Sequence, residues 1–187
     1  MSENTETKKD DLFFIKSQYA KDLLNQDHYK SYKEILLYGF DCLKKRSFLD
    51  IKKIKEEIDR IENLSIDMED FRGGETDLLT LQRITARADG FKSRLSDILG
   101  DSQSDYETIN KWYEQLEKIW ASKSQAKSQD KRIGEAAEIL IFLLPEKIKR
   151  KEIYEKVKNK FNLMGSKLEA ISREITICLE LRKSKFN

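Results

Sequence analysis

The chain has 187 residues, with 36 Lys and Arg against 34 Asp and Glu and a formal net charge of +2, enough for one sizeable domain or two small ones. One proline and seven glycines exclude a loop-rich chain, so we expect long helices. A single histidine and two cysteines cannot supply a zinc-type ligand quartet, so we expect no metal site.

The N-terminal sequence predicts no export. Its first residues, MSENTETKKDD, contain no apolar core of a signal peptide. The longest fully apolar run, ILIFLL from Ile139 to Leu144, is too short to span a bilayer. Without a signal peptide, Cys42 and Cys178 indicate free, buried thiols in a reducing compartment. We therefore predict a protein of the cytoplasm, or of the host cytoplasm if it is viral, that does not contact a membrane.

Three helices are predicted before an acidic loop. After a frayed tail, they cover residues 11–24, 29–45 and 49–63. In the third helix, isoleucines recur in steps of three, four and three, as along a coiled-coil stripe. The acidic, glycine-containing run at 65–74 is predicted to be a loop that separates an N-terminal region, 1–64, from a long-helix region, 75–187.

The long-helix region is predicted to contain a polar hinge. A fourth helix is expected from Glu75 to Gly100, and the capping-box sequence SDYE at 104–107 predicts the start of a fifth. The apolar rhythm of that fifth helix stops at Trp120, and Lys123, Lys127 and Lys131 follow at a spacing of four residues. Lysines are almost never fully buried, so we predict a hinge near 122–131.

The C-terminal third allows two interpretations. Pro145 suits the first turn of a helix, and apolar residues recur every three or four positions from Tyr154 to Cys178, which predicts one packed helix. Alternatively, residues 133–175 form a helix-turn-helix, with NLMG as the turn and a recognition helix that begins at Ser166. The apolar stripe continues in register through Gly165, which favours the single helix.

These elements predict an all-α fold. We expect an elongated bundle of five to seven helices with long antiparallel, coiled-coil-like packing. Narrow apolar stripes on highly charged helices bury little surface in one chain, so we also expect a homo-oligomer.

No catalytic motif is present. The sequence has no glycine-rich phosphate loop and no nucleophile elbow, so we expect neither an enzyme nor a cofactor.

Acidic residues are concentrated at 56–77, with nine acids and two bases. Basic residues prevail from Ser122 onward, with sixteen bases and nine acids. Long basic side chains beside an apolar stripe usually form its solvated edge, but an unpaired excess of positive charge attracts phosphates.

The candidate nucleic-acid contacts are therefore the bases of the hinge and of the last helix. They are Lys123, Lys127, Lys131, Arg132, Lys147, Lys149, Arg150, Lys151, Lys156, Lys158 and Lys160. Trp112 lies slightly off the apolar stripe of the fifth helix, which makes it a candidate for stacking on an unpaired base.

Three segments carry a family resemblance: FKSRLSDILGD at 91–101 with the aromatic helix after it, the Lys/Ser tract, and LEAISREI at 168–175. Across about half the chain they resemble small all-helical phage accessory proteins of DNA recombination, the class that contains the recombination mediator of T-even phages. The resemblance implies single-stranded DNA binding and recombinase loading, and transfers no site residue.

Two other functions stay open. One is a helical protein-interaction scaffold, adaptor or inhibitor of a host factor, which would bind a partner protein through its acidic segment or an exposed stripe. The other is a DNA-binding regulator that uses the helix-turn-helix.

Overall fold

The all-α fold is confirmed. A computed structural model of the chain describes residues 12–66 and 78–185. Those residues form six α-helices, a short 3-10 helix at Asp27–Tyr29, and no strand. The α-helices are α1 (Gln18–Leu24), α2 (Lys30–Lys45), α3 (Ile51–Ile66), α4 (Leu78–Lys123), α5 (Gln129–Leu140) and α6 (Leu144–Lys185). None of these helices is long and apolar enough to cross a membrane.

The chain divides into two compact units, each built from two separate segments. Unit 1 comprises Met1–Phe48 and Glu107–Lys149, and unit 2 comprises Leu49–Tyr106 and Arg150–Asn187. Helices α4 and α6 each continue through a unit boundary and therefore contribute to both units. The boundaries do not fall in the predicted acidic loop: residues 65 and 66 belong to α3, and the rest of that loop lies outside the described residues.

The core of unit 1 is built around Trp120, whose side chain is fully buried. Tyr29 stacks on the indole with ring centroids 4.7 Å apart, and Tyr32 meets it edge-on at 5.1 Å. The buried hydroxyl of Tyr32 donates to the carbonyl oxygen of Leu116 at 3.1 Å, and burial raises the pKa of this tyrosine. Trp120 and Leu116, which belong to the apolar rhythm of the predicted fifth helix, are core residues, and Tyr113 packs against them half-buried.

The core of unit 2 combines apolar stripes from α3, α4 and α6. Its buried members are Ile54, Ile58, Ile61, Ala88, Leu95, Ile153, Val157 and Met164. The isoleucine spacing read in the sequence therefore identifies the buried face of α3. The stripe predicted on the last helix is likewise its inward face, since Val157, Met164 and Ile171 are buried and Phe161 and Leu168 are half-buried.

The predicted break between the fourth and fifth helices is wrong. Helix α4 runs without interruption through Gly100 and Ser104. A glycine inside a helix costs about 1 kcal/mol relative to alanine, which packing along a long helix readily outweighs. The SDYE sequence does not form a cap, because it lies inside the continuous helix α4. Its Asp105 is buried and accepts hydrogen bonds from the backbone N–H of Leu49 and from Arg150.

The helix-turn-helix interpretation is also wrong. The NLMG segment lies inside α6, and Gly165 has helical neighbours on both sides. Packing of the continuous stripe on α6 keeps the backbone helical where a glycine alone would permit a turn. The start predicted from proline is confirmed, because Pro145 is the second residue of α6.

The first helix is shorter than its sequence predicts. Residues 12–14 form a turn, and α1 begins only after Ser17. The hydroxyl of Ser17 accepts a hydrogen bond from the N–H of Ala20 at 3.3 Å, which satisfies one of the donors left free at a helix start. Leu12 and Ile15 are buried ahead of this cap, so the preceding segment packs into the core of unit 1 without being helical.

Candidate nucleic-acid interface

The predicted interruption after Trp120 is present. Helix α4 ends at Lys123, and residues 124–128 form a connector to α5. Two hydrogen bonds join the connector to α5. The buried hydroxyl of Ser124 donates to Glu135 at 2.7 Å, and Arg132 donates through Nε to the carbonyl oxygen of Ala126 at 2.8 Å. Arg132, predicted to contact nucleic acid, is therefore half-buried and engaged with the backbone.

The three lysines that follow Trp120 do not form one helical row. Lys123 closes α4, and its amine donates to the hydroxyl of Ser31 at 2.9 Å. Lys127 lies in the connector and Lys131 in α5, both exposed. Because α4 ends before Lys127, the three lysines do not share one helix face, which agrees with the predicted interruption.

Arg150 cannot contact a phosphate in this fold, which corrects its assignment as a nucleic-acid contact. Its side chain is only 9% exposed and lies 3.3 Å from the Asp105 carboxylate. The same nitrogen donates to the carbonyl oxygen of Leu49 at 2.6 Å. An arginine that neutralises a buried carboxylate and satisfies a backbone carbonyl has a structural role within unit 2.

The remaining bases of α6 divide by their partners. Four of them have a ring or a carboxylate nearby: Lys147 over Tyr113 at 4.3 Å, Lys158 over Tyr154 at 5.7 Å, Lys151 beside Glu155 at 3.8 Å, and Lys156 beside Asp59 at 3.6 Å. Lys149 is exposed, and Lys160 lines a small apolar pocket in unit 2. Exposed pairs of this kind contribute little to stability and leave their amines reachable from solvent.

An open groove lies in unit 1, between the C-terminal half of α2 and the part of α4 around Trp112. Its volume is about 660 Å³. Its lining residues come from two short stretches of the chain. They are Gly39, Cys42, Leu43, Lys45 and Arg46 from α2 and its end, and Thr108, Lys111, Trp112 and Gln115 from α4.

A close approach between Gly39 and Trp112 shapes the groove. A Cβ atom placed on Gly39 would lie 1.4 Å from Cζ2 of the indole. No side chain larger than hydrogen fits there, so the six-membered ring of Trp112 lies directly on the backbone of α2. The half-buried indole is thereby placed in the lining of the groove.

Replacing Gly39 by alanine is expected to displace the indole. Alanine is the better helix former by about 1 kcal/mol, but the overlap with Trp112 costs about 1–3 kcal/mol as in overpacked cores. We expect net destabilisation in urea unfolding and a changed Trp112 fluorescence spectrum. In a Trp112→Ala background the clash is absent, so the same substitution should stabilise the chain. Equal effects in both backgrounds would contradict the close approach.

The rim of the groove is positively charged. Lys45, Arg46 and Lys111 are exposed and lie at its edge. Lys111 also contacts the Glu107 carboxylate at 3.2 Å, an exposed pair between neighbouring turns of α4. Cys42 contributes an exposed thiol, so the prediction that this cysteine is buried is wrong. The groove thus combines an aromatic ring, an open volume and three cations.

Sequence reasoning found only one member of this site. Trp112 stood out because it falls off the apolar stripe of its helix. Lys45 and Arg46 read as ordinary bases in the last turn of a helix, and Lys111 as half of a local ion pair. Gly39 was the available signal, since a glycine is unfavourable inside an otherwise strong helical pattern and therefore indicates a packing constraint there.

Comparisons of the chain with protein-family models, curated proteins and solved structures found no match. Within the described ranges, no cluster of His, Cys, Asp and Glu side chains could hold a metal ion.

Proposed function

We propose that the chain is a non-enzymatic accessory protein that binds single-stranded nucleic acid, DNA in preference to RNA, in recombination or replication. One observation carries this proposal: the Trp112 indole lies in an open groove edged by Lys45, Arg46 and Lys111. An aromatic ring supplies a stacking surface for a base, and the cations supply contacts for the phosphates on either side of it.

The indole and the rim cations are expected to contribute to binding in two distinguishable ways. Stacking of one base on an aromatic side chain contributes about 1–3 kcal/mol by alanine substitution. Each phosphate neutralised on a single strand adds about −0.7 to the logarithmic salt slope, so three rim cations account for a slope of about −2. Both contributions are largely independent of sequence, which is typical of proteins that coat or hand over single strands.

The groove favours a single strand over a duplex. A base reaches the indole only if its flat face is free, and in a duplex both faces are covered by neighbouring pairs. Extracting a paired base costs a few kcal/mol. The preference for DNA comes from the resemblance to phage recombination proteins and not from the groove.

The exposed bases outside the groove extend this proposal. Lys127, Lys131 and Lys149 remain predicted phosphate contacts for a longer strand. They offer charge without a ring, so their contribution should appear in the salt slope and not in base stacking.

The first test is fluorescence anisotropy of a labelled oligothymidylate over a salt series. Changing Lys45, Arg46 and Lys111 together to glutamine should flatten the logarithmic salt slope by about two units and weaken binding at low salt. The matched control changes Lys52, Lys53 and Lys55 of α3 to glutamine, which removes the same charge from exposed positions. Equal slopes for both triple variants would exclude the groove as the phosphate site.

A second readout reports on the groove itself. The exposed thiol of Cys42 lines the groove, whereas Cys178 lies in unit 2. Bound oligonucleotide should protect Cys42 from a maleimide in a Cys178→Ser background and quench Trp112 fluorescence. Strand binding that leaves the Cys42 labelling rate unchanged would place the strand elsewhere.

A protein-interaction role is the second candidate, favoured by a run of exposed apolar residues in unit 1. Leu144 and Ile148 lie one turn apart at the start of α6 and are 40% and 48% exposed, and Ile141, in the turn before α6, is 49% exposed. These exposed apolar side chains could contact a partner helix or a second copy of the chain, which keeps the homo-oligomer as a proposal. Flat anisotropy curves at low salt, with both strand and duplex, would favour this candidate.

A further inference from the structure

The lining of the groove includes an exposed carboxamide. Gln115 lines the groove from α4, and its side chain is open to solvent. Within the described parts of the chain, no hydrogen bond engages this carboxamide. It therefore presents an acceptor oxygen and a donor NH₂ group, side by side, to whatever occupies the groove.

Gln115 and Trp112 lie on the same face of α4. They are three residues apart, and residues at that spacing on a helix are neighbours, with Cβ atoms about 5–6 Å apart. Both side chains line the groove. A base that stacks on the indole therefore has one edge within reach of the carboxamide, because a glutamine side chain is long enough to pass the edge of the neighbouring ring.

Helices α2 and α4 run in opposite directions within unit 1. The Tyr32 hydroxyl on α2 donates to the carbonyl oxygen of Leu116 on α4. Gly39, further along α2, lies under Trp112, which comes earlier in α4. Residue numbers therefore rise along one wall of the groove and fall along the other.

This antiparallel arrangement places different chemistry on the two sides of the indole. Gln115 follows Trp112 in α4 and so lies toward the N-terminal end of α2. Lys45 and Arg46 lie the other way, since Arg46 is seven residues, or about 10 Å, beyond Gly39. A nucleotide also carries its phosphate and the outer edge of its base at opposite ends, so it fits the groove with the phosphate at the cations and the base edge at the carboxamide.

We infer that the groove reads the base that stacks on Trp112, and that Gln115 selects adenine. A glutamine carboxamide makes two hydrogen bonds to adenine, one with the 6-amino group and one with the ring nitrogen beside it. Guanine presents two acceptors on the corresponding edge, and a pyrimidine covers less of the indole. The ligand class is therefore an adenine-containing single strand. This inference rests on the proposed function, because it assumes that Trp112 stacks on a base.

The test compares three DNA hexanucleotides that differ only in the base: adenine, thymine, and unsubstituted purine, which keeps the ring system of adenine without its 6-amino group. The readouts are the anisotropy of the labelled strand and Trp112 quenching. The wild type should bind the adenine strand about 5- to 150-fold more tightly than the purine strand, the discrimination expected of one bidentate contact. Gln115→Met keeps a side chain of similar size without either hydrogen bond, so it should bind both strands equally.

The control is Gln129→Met, at an exposed position at the start of α5 that does not line the groove. It should keep the wild-type preference for adenine. Equal binding of the three strands by the wild type, or an unchanged preference in Gln115→Met, would show that Gln115 does not read the base. If Trp112 is still quenched in those cases, the proposed function stands. If no strand quenches Trp112 in the wild-type chain, the proposed function and this inference both fail.

Discussion

Replacing Arg150 by methionine is expected to lower the free energy of unfolding by about 3–5 kcal/mol, the usual cost of removing one partner from a buried ion pair. The guanidinium lies 3.3 Å from the Asp105 carboxylate, and the two side chains are 9% and 8% exposed. It also donates to the Leu49 carbonyl oxygen. Without it, a buried carboxylate loses its counter-charge and a backbone acceptor loses its donor. Urea unfolding followed by circular dichroism measures the change.

The control for this substitution is its neighbour. Lys151→Met removes an equal charge from an exposed position that pairs with Glu155 on the next turn of α6, so it should change stability by less than about 0.5 kcal/mol. Adding Asp105→Leu to Arg150→Met should restore part of the loss, because no unpaired buried charge then remains. If Arg150→Met instead weakened binding to nucleic acid and left stability unchanged, the structural role would be wrong.

Trp120→Ala is expected to have a comparable effect, about 3–5 kcal/mol. The side chain is fully buried, and its removal takes away the surface on which Tyr29 stacks and Tyr32 packs edge-on. The loss combines the transfer free energy of a large side chain with the cavity left behind. The midpoint of urea unfolding, followed by circular dichroism and by the fluorescence of Trp112, reports this change.

Trp120→Phe separates packing from hydrogen bonding. The indole Nε1 of Trp120 is buried without a hydrogen-bond partner in the structure, so phenylalanine removes an unsatisfied donor while it keeps an aromatic ring. We expect this variant to lose much less stability than Trp120→Ala. A Trp120→Ala variant that unfolds at the wild-type urea concentration would show that this cluster does not hold unit 1 together.

Features set by local spacing could be predicted from the sequence. The isoleucines of α3 and the stripe of α6 are buried as expected, because one helix face must be apolar wherever it packs. Asp105 could not be interpreted in this way. Its sequence context spells a cap, but its partner is an arginine 45 residues later, and only the fold brings the two together.

The residues of the groove also could not be predicted together from the sequence. Trp112 was recognisable as an outlier of its own helix, whereas Lys45 and Arg46 lie on α2 or at its end and Lys111 lies on α4. Their common rim is a product of how these helices pack within unit 1. The bases predicted on α6 were selected because they are dense along the chain. That density does not show which bases the fold holds in internal ion pairs, as the buried pair of Arg150 with Asp105 illustrates.

The discontinuous make-up of the two units has a consequence for biosynthesis. On the ribosome, the segment that ends at Phe48 emerges well before Glu107–Lys149, which carries Trp120 and the other half of its core. Tyr32 and Leu36 therefore remain exposed to solvent while all of residues 49–106 are translated. The core of unit 2 is completed later still, after Val157 and Met164 have been translated. A nascent chain ordered in this way folds late and depends on its final helix, so chaperones have an extended interval in which to bind it.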